Sequence, residues 1–453
     1  REAEVNVALG LPLAYLDKTE EAVGTYEAAL GLYEIRGDEP TVARIHRLIG
    51  HALERHWEFR RAVTHLDRAL ARLDPAAQLD DILQTHVDLA RAHSFLGEDN
   101  AAEHHGREAL RLGREAGLLS VQAHALTTLG LTAWHNTGRM EDAATYYQEA
   151  IEIARRASDV EGYYALGRAL NNLALIYYAR GEPRNALPLM QEARDGAGRA
   201  RDTEQIAFHN NQLGRSYVML GEWDRAREYF LDNLRRPLSR INQQWSELWL
   251  YWLNGEWESA AGVGRALLEY YLDRFDQGVV TAGGQLVWHL VDLERVEEAA
   301  EVAALILPRY LQDPRYMDWP SFFPLPEALA LGKRRTPCEE VCTVAEEYGR
   351  KTDAPVALAA AAIGRAALAL ADRQPERAVA LLEGARPMVE RFGPVLQARI
   401  LRRLGHALRA RGIEGGRTRG RAVLEECLGL LDRMGDRRMA GLVRKELEDV
   451  PPS

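Results

Sequence analysis

The side chains best suited to chemistry do not combine into a catalytic or metal-binding motif. Cys338 and Cys342 are one helical turn apart and could share a metal, but no second cysteine pair or histidine lies near them in sequence, so we expect helix packing. His104 and His105 are adjacent, so they lie on different helix faces and are unsuited to a joint site. No His-Glu-x-x-His motif, Cys-x-x-Cys pair or serine nucleophile elbow occurs. We therefore expect no enzyme activity, no catalytic or metal-ligating residues and no cofactor.

The composition is that of a folded protein with an acidic surface. Its 453 residues exceed the roughly 250 to 300 at which one core stops growing, which favours several domains or a repeat array. A formal net charge of -10 argues against a nucleic-acid partner. Three cysteines form no disulfide framework, and the most apolar stretch, 356–371, is too short to span a membrane. We expect a cytoplasmic chain without a membrane partner and, because it begins at Arg1, a piece of a longer protein.

A repeated phrase runs through the chain and predicts helical hairpins. In its clearest copy, Leu213, Gly214 and Tyr217 share one helix face, Gly221 opens a turn, and the next helix stacks its apolar residues one turn apart. The small residue of the first helix lets the two helices approach closely. It recurs, mostly at steps of 40 residues, as Gly10, Gly50, Ala90, Gly130, Ala174 and Gly214. Aspartates after Gly37, Ser158 and Gly435 are expected to begin new helices.

Residues 308–326 interrupt this rhythm. Five prolines occur there, at a density that is not expected to continue a helix. The sequence therefore predicts an N-terminal array over 1–307, a proline- and aromatic-rich connector over 308–326, and a degenerate array over 327–453 that ends in a capping helix. The aromatic residues expected to pack at the connector are Tyr310, Tyr316, Trp319, Phe322 and Phe323.

The phrases at 172–181 and 213–223 resemble the tetratricopeptide consensus. The resemblance implies an all-α fold: a right-handed superhelix, or α-solenoid, of about eleven helical hairpins, the ninth poorly formed, with a C-terminal capping helix near 437–448. The long unit is similar to the sensor region of bacterial signal-transduction ATPases and large LuxR-type transcriptional regulators. No phosphate-loop motif occurs in this chain, so the resemblance implies that any switch domain lies outside it.

Tetratricopeptide stacks turn their first helices toward a concave groove, so the resemblance also implies which positions line that groove. They lie three and six before, and one and four after, the small residue. The predicted groove residues are Arg44, Arg47, His51, Arg91, Trp134, Arg168, Asn171, Tyr178, Asn211, Arg215, Trp245, Trp249, Trp252 and Trp288. The cluster Trp245, Trp249 and Trp252 fits either the groove or the core, because the phase of that repeat is open.

These side chains favour recognition of another molecule over catalysis. Asparagine offers a donor and an acceptor to a peptide backbone, arginine binds carboxylates, and tryptophan offers rigid apolar area. We therefore expect a peptide- or protein-binding sensor module of a larger regulator. The alternative is sensing of a small inducer such as a sugar, because tryptophan also stacks on sugars.

Overall fold

The computed structural model describes residues 2–15, 19–55, 58–137, 139–274, 276–318, 320–412 and 414–448. The described part contains 23 α-helices, two short 3-10 helices and no β-strand. By internal contacts the chain divides into two compact units: unit 1 comprises residues 1–173 and 192–202, and unit 2 comprises residues 174–191 and 203–453.

The first ten helices precede residue 203. They are α1 Glu2–Tyr15, α2 Thr19–Arg36, α3 Glu39–Arg55, α4 Phe59–Leu70, α5 Leu79–Leu96, α6 Asp99–Glu115, α7 Leu119–Thr137, α8 Met140–Ala154, α9 Val160–Ala179 and α10 Pro183–Ala200.

The other thirteen belong to unit 2. They are α11 Thr203–Met219, α12 Trp223–Leu234, α13 Arg240–Leu253, α14 Trp257–Tyr271, α15 Asp276–Asp292, α16 Val296–Gln312, α17 Leu325–Leu331, α18 Arg335–Thr352, α19 Pro355–Ala371, α20 Pro375–Glu390, α21 Pro394–Ala410, α22 Glu414–Met434 and α23 Arg437–Glu448.

This order confirms the expected all-α solenoid fold. The described helices follow one another as eleven consecutive pairs, α1/α2 to α21/α22, and α23 closes the series. The ninth pair is the irregular one, because α17 has only 7 residues and packs on α16 and α19 as well as on α18. Among the described helices, none combines the length and apolar character needed to cross a lipid bilayer.

Close approach of the two helices in a pair depends on the small residue that marks each repeat. A Cβ atom at Gly214 would lie 2.4 Å from the Phe230 ring, and one at Gly50 would lie 2.5 Å from Cγ of Leu66. Real Cβ atoms do not come so close to another heavy atom, so a larger residue would force the helices apart.

Three aspartates begin helices as the sequence predicts. Asp38 accepts a hydrogen bond from the backbone N–H of Thr41 at 3.2 Å, Asp159 from that of Gly162 at 2.6 Å and Asp436 from that of Met439 at 2.9 Å. Each bond satisfies a backbone donor that the first turn of a helix leaves unpaired.

The proline-rich segment is more helical than the sequence predicts. Helix α16 continues through Pro308 to Gln312, so the expectation that the helix stops at Pro308 is wrong. Two 3-10 helices follow, Pro314–Asp318 and Pro320–Phe322. The aromatic residues do pack inward: Tyr310, Phe322 and Phe323 are buried in the core of unit 2. Trp319 lies outside the described residues.

Unit 2 contains contacts between helices that are far apart in sequence. Helix α21 packs against α11, and a Cβ atom at Gly393, just before α21, would lie 2.2 Å from the carbonyl oxygen of Met219. Arg399 of α21 forms an ion pair with Asp292 of α15, with N–O distances of 2.5 and 2.6 Å. The last helices of the chain therefore cover faces of α11 to α15.

Candidate binding cluster

Polar and charged side chains meet on the first helices of four successive pairs in unit 1. The spacing of three residues in α3 and α5, and of seven and three in α9, keeps the members from each helix on one face. We call this set the inner polar cluster. Its members are His51 and Glu54 on α3, Asp88 and Arg91 on α5, His124 on α7, and Glu161, Arg168 and Asn171 on α9.

Carboxylates surround the guanidinium of Arg91. It forms an ion pair with Glu54, and it lies 3.6 Å from Oδ1 of Asp88. The other oxygen of Asp88 lies 3.1 Å from Nδ1 of His51. Glu54, Asp88 and Arg91 are all buried, so solvent screens these charges weakly.

On the other side of the cluster, His124 faces the carboxylate of Glu161, with its Nε2 atom 3.6 Å from Oε2. Burial lowers the pKa of His124, so the imidazole is neutral at pH 7. Contact with His124 lowers the pKa of Glu161, with His51 and Arg168 adding to the effect. Burial also lowers the pKa of Arg91, and the positive charge of Arg168 acts in the same direction. The members of the cluster therefore act on one another electrostatically.

Some buried polar atoms of the cluster have neither a hydrogen-bond partner nor an ion-pair partner within the described part of the chain. Among them are Nε of Arg91, Nδ1 of His124 and Oδ1 of Asn171. Each of these residues is at most 9% exposed. A buried donor or acceptor without a partner costs about 1–3 kcal/mol. The cluster thus holds a donor on Arg91, an acceptor on Asn171 and a ring nitrogen on His124 whose hydrogen bonds a bound polar group would complete.

A metal ion is a poor occupant of the same place. One ligand atom each from His51, Glu54 and Asp88 lies within 4.8 Å of the others, which resembles a metal-binding set. Arg91, however, already brings its positive charge to Glu54 and Asp88. A second cation there would be repelled by the guanidinium.

Four of the fourteen predicted groove residues belong to this cluster: His51, Arg91, Arg168 and Asn171. Two others lie on α3. Arg44 is exposed, and Arg47 donates from Nε to Asp81 of α5 at 2.8 Å. Trp134, which the sequence also predicts for the groove, is only 6% exposed.

The predicted groove residues of the next repeats lie in unit 2 and are used internally. Asn211 accepts hydrogen bonds at Oδ1 from Ser246 at 2.8 Å and from Asn233 at 3.2 Å, so its acceptor is already occupied. Arg215 donates to Gln212 on its own helix at 3.4 Å, and burial lowers its pKa. Burial raises the pKa of the half-buried Tyr178 to about 12.

Three of the four tryptophans predicted for the groove in unit 2 are core residues. The groove prediction is wrong for Trp288, and of the two alternatives left open for Trp249 and Trp252 the structure has the core. Trp249, Trp252 and Trp288 are at most 5% exposed. The reason is the packing of the last helices: the guanidinium of Arg399 lies 3.8 Å above the Trp288 ring, and Trp252 lines a cavity of about 30 Å³ together with residues of α21 to α23. Trp245 is half-buried against the same core and donates to the Tyr271 hydroxyl at 3.3 Å.

Half of the inner polar cluster was not predicted from the sequence. Glu54 and His124 lie at positions of the repeat rule, four after Gly50 and six before Gly130, but were not selected, whereas Asp88 and Glu161 lie at other positions of their first helices. One signal could have found some of them: Glu54 follows His51, and Asp88 precedes Arg91, by three residues, which places each pair on one helix face.

A comparison with protein families identifies repeats of a known kind in part of the chain. The tetratricopeptide-repeat family matches residues 121–197 and, in an overlapping second match, residues 165–236. The chain contains tetratricopeptide repeats. The matched tetratricopeptide segment includes α7 and α9, which carry His124, Glu161, Arg168 and Asn171. A search of curated protein sequences gives no match.

Several solved structures are similar to this tetratricopeptide chain. A Rap protein complexed with competence and sporulation factor shares 13% identity, with 75% of this chain and 99% of that chain covered and a TM-score of 0.45. The apo form of RapI shares 12%, with 68% and 97% covered and a TM-score of 0.41. Yeast Tom70 shares 13%, with 99% and 95% covered and a TM-score of 0.39. At these identities and TM-scores, the likenesses say nothing about what this chain binds.

Proposed function

We propose that this chain is a non-catalytic recognition module that binds an extended peptide or protein segment at the inner polar cluster. The observation that carries the proposal is the set of unused buried polar atoms on Arg91, His124 and Asn171. Their cost is offset when a ligand supplies the missing partners. Arrays of helical repeats offer extended surfaces of this kind to their ligands.

The chemistry of the cluster suits a polypeptide. A peptide backbone carries one donor and one acceptor per residue, and the cluster offers both. Asn171 has an amide that donates and accepts, while the neutral imidazole of His124 offers Nδ1 for a hydrogen bond. Arg91 and Arg168 are suited to carboxylates of a peptide side chain or terminus.

The charge balance of the cluster disfavours nucleic acid. Three carboxylates, on Glu54, Asp88 and Glu161, outnumber the two guanidinium groups, and the whole chain has a formal net charge of -10. A phosphate backbone would meet net repulsion there.

The sugar-sensing alternative has lost its main support. It rested on tryptophan faces available for stacking, whereas Trp134, Trp249, Trp252 and Trp288 are buried. A peptide ligand needs no such faces, because the cluster supplies hydrogen-bonding groups instead.

The wider context follows from the resemblance to bacterial regulators. We infer a sensor region of a larger signalling or transcription regulator. The described cysteines Cys338, Cys342 and Cys427 are free and buried, which fits a reducing, cytoplasmic compartment.

The test is selection of peptides from a random displayed library by the whole chain, followed by calorimetry on the synthesised peptides. Asn171→Ala and Arg168→Ala are expected to weaken binding about tenfold or more, since each removes a hydrogen-bonding partner worth about 1.5–3 kcal/mol when a charged group is involved. The matched control is Arg107→Ala, an exposed arginine of unit 1 that pairs with Glu103 on its own helix.

Two results would overturn the proposal. One is a library from which no peptide with saturable binding is recovered. The other is a bound peptide whose dissociation constant is unchanged, within about twofold, in the Asn171 and Arg168 variants. The proposal is supported if the Asn171 and Arg168 variants bind the peptide more weakly and the Arg107 variant binds it as tightly as the wild type.

A further inference from the structure

Two pairs of histidines occupy equivalent places in successive helix pairs of unit 1. His46 on α3 faces His65 on α4, with their Nδ1 atoms 3.2 Å apart. His86 on α5 faces His105 on α6, with their Nδ1 atoms 2.9 Å apart. Both members of the second pair lie 40 residues after those of the first, which is the step of the repeat. The inner polar cluster uses none of these four residues.

The separation of the two nitrogens matches that of two imidazole ligands on one metal ion. Zinc–nitrogen bonds are about 2.0–2.1 Å long, so nitrogens 2.9–3.2 Å apart subtend about 90–100° at the metal. Adjacent ligands of tetrahedral or square-planar ions have angles close to these. Each pair joins the two helices of one hairpin, so the backbone already holds the imidazoles near the required spacing.

The surroundings of the two pairs differ in charge. Around the first pair stand Arg61, Arg68 and Arg72, which lower the pKa of one or both histidines and would repel a metal cation. No carboxylate contributes to the shift of either histidine. The first pair is therefore a neutral imidazole–imidazole hydrogen bond in an unfavourable place for a cation.

The second pair has carboxylates and further imidazoles nearby. Glu108 acts on His86 electrostatically in the direction that favours positive charge. The rings of His93 and His104 lie 5.6 and 5.1 Å from that of His105, and Glu98 contacts Nδ1 of His93 at 2.5 Å. Arg111 is the one cation that acts on His86 besides His104, and it is paired with Glu108 and Glu115.

We propose that His86 and His105 form a binding site for a divalent transition-metal ion that prefers imidazole ligands, such as Zn²⁺ or Cu²⁺, and that the equivalent pair His46 and His65 does not. Metal binding at both Nδ1 atoms requires the donating ring of the pair to carry its proton on Nε2 instead of Nδ1, so the two neutral imidazoles bind the ion without net proton release at neutral pH. Solvent completes the coordination. The site is independent of peptide binding, because it shares no residue with the inner polar cluster.

The experiment titrates Zn²⁺ into the whole chain by calorimetry and compares two matched variants. His105→Gln keeps a polar side chain that can hydrogen bond but removes an imidazole ligand, and His65→Gln makes the same change in the equivalent pair. We expect the wild type to bind Zn²⁺, the His105 variant to bind about tenfold or more weakly, and the His65 variant to match the wild type. Zn²⁺ should also raise the melting temperature of the wild type and the His65 variant more than that of the His105 variant.

Electron paramagnetic resonance of the Cu²⁺-loaded wild type provides a second readout that does not depend on the folding of any variant. Nitrogen couplings from two imidazoles are expected at one equivalent of Cu²⁺. The proposal is overturned if the wild type shows no saturable Zn²⁺ binding, if both variants lose affinity equally, or if the bound Cu²⁺ carries fewer than two imidazoles.

Discussion

Asp292 and Arg399 are a buried ion pair between helices α15 and α21 of unit 2. Both oxygens of Asp292 accept from the guanidinium, and Nε1 of Trp252 lies 3.5 Å from one of them. Burial raises the pKa of Asp292 and lowers that of Arg399, each shift being opposed by the partner's charge. Each charge is therefore tolerated in the interior only because the other is present.

Removing one partner of this ion pair is expected to lower the stability of the protein strongly. Asp292→Ala leaves Arg399 buried without its carboxylate and should lower the free energy of unfolding by about 3–5 kcal/mol. Chemical denaturation followed by circular dichroism measures this loss. The double variant Asp292→Leu with Arg399→Met should recover much of it, since an apolar pair of similar volume needs no compensating charge.

The control is Arg107→Ala, which breaks an exposed pair and should change stability by less than about 1 kcal/mol. If Asp292→Ala proves as mild as Arg107→Ala, the ion pair does not hold the last helices in place.

Whether the sequence could predict the surroundings of a residue depends on which helices pack against that residue. The repeat rule selected Arg91 and Asn171 as groove residues from helix phase alone; both are members of the inner polar cluster, and their role in binding stays a prediction. The same rule selected Trp252 and Trp288, and their burial depends on Arg399 and its neighbours. A phase rule gives the direction of a side chain within its repeat but not what covers it.

At the level of elements, the turn before α21 decides how that helix meets α11. Gly393 has a φ of +109°, a conformation that L residues rarely adopt. A Cβ atom there would also collide with the Met219 carbonyl oxygen. Glycine is thus required twice, by the backbone conformation and by the contact.

Gly393→Ala is expected to destabilise the protein by about 1–3 kcal/mol from backbone strain alone, with the collision adding to that cost. The matched control is Gly384→Ala, inside α20, where a Cβ atom meets nothing within 4 Å. That change should raise stability by about 0.5–1 kcal/mol, because alanine favours a helix. Equal effects of the two variants in urea unfolding would contradict the role given to Gly393.

Most of the helices could be predicted from the sequence, for local reasons. The small residues, turn glycines and capping aspartates recur in register, and eleven pairs and the closing helix follow from them. The exception is instructive: Pro308 stands in the last two turns of α16, where a proline removes only one hydrogen bond of a helix that is about to end. The high proline content of the segment therefore led to the wrong prediction that the helix ends at Pro308.

At the scale of the whole molecule, the histidine pairs couple stability to pH. Burial lowers the pKa of His46 to about 4, with His65, Arg72 and Arg68 acting in the same direction. It also lowers that of His105 to about 4, where His86, His93 and His104 add to the effect. The unfolded chain, with histidine pKa values near 6.5, binds more protons than the folded chain between these limits. The contribution to stability is therefore complete above about pH 6.5 and is lost as the pH falls toward 4.

The melting temperature of the wild type should consequently decline between pH 7 and 4.5 more than that of a His46→Gln, His105→Gln double variant. Asp436 acts in the opposite direction, since burial raises its pKa to about 6, but it is common to both proteins. Parallel curves for the two proteins, measured by calorimetry in metal-free buffer, would show that the pairs do not carry the effect.

The arrangement within unit 2 could not be predicted from the sequence. The contacts of α21 to α23 with α11 to α15 join residues more than a hundred positions apart, and no periodicity within a repeat encodes them. These contacts depend on complementary helix faces, which exist only when all of these helices have formed.

The distance along the chain between Asp292 and Arg399, 107 residues, has a consequence during synthesis. A ribosome adding about 5–20 residues per second needs about 5–20 s to make that stretch. Throughout this interval the nascent polypeptide presents Trp252 and Trp288 to solvent before their covering helices exist. Nascent chains arrested between these two positions should therefore recruit chaperones more strongly than the released protein.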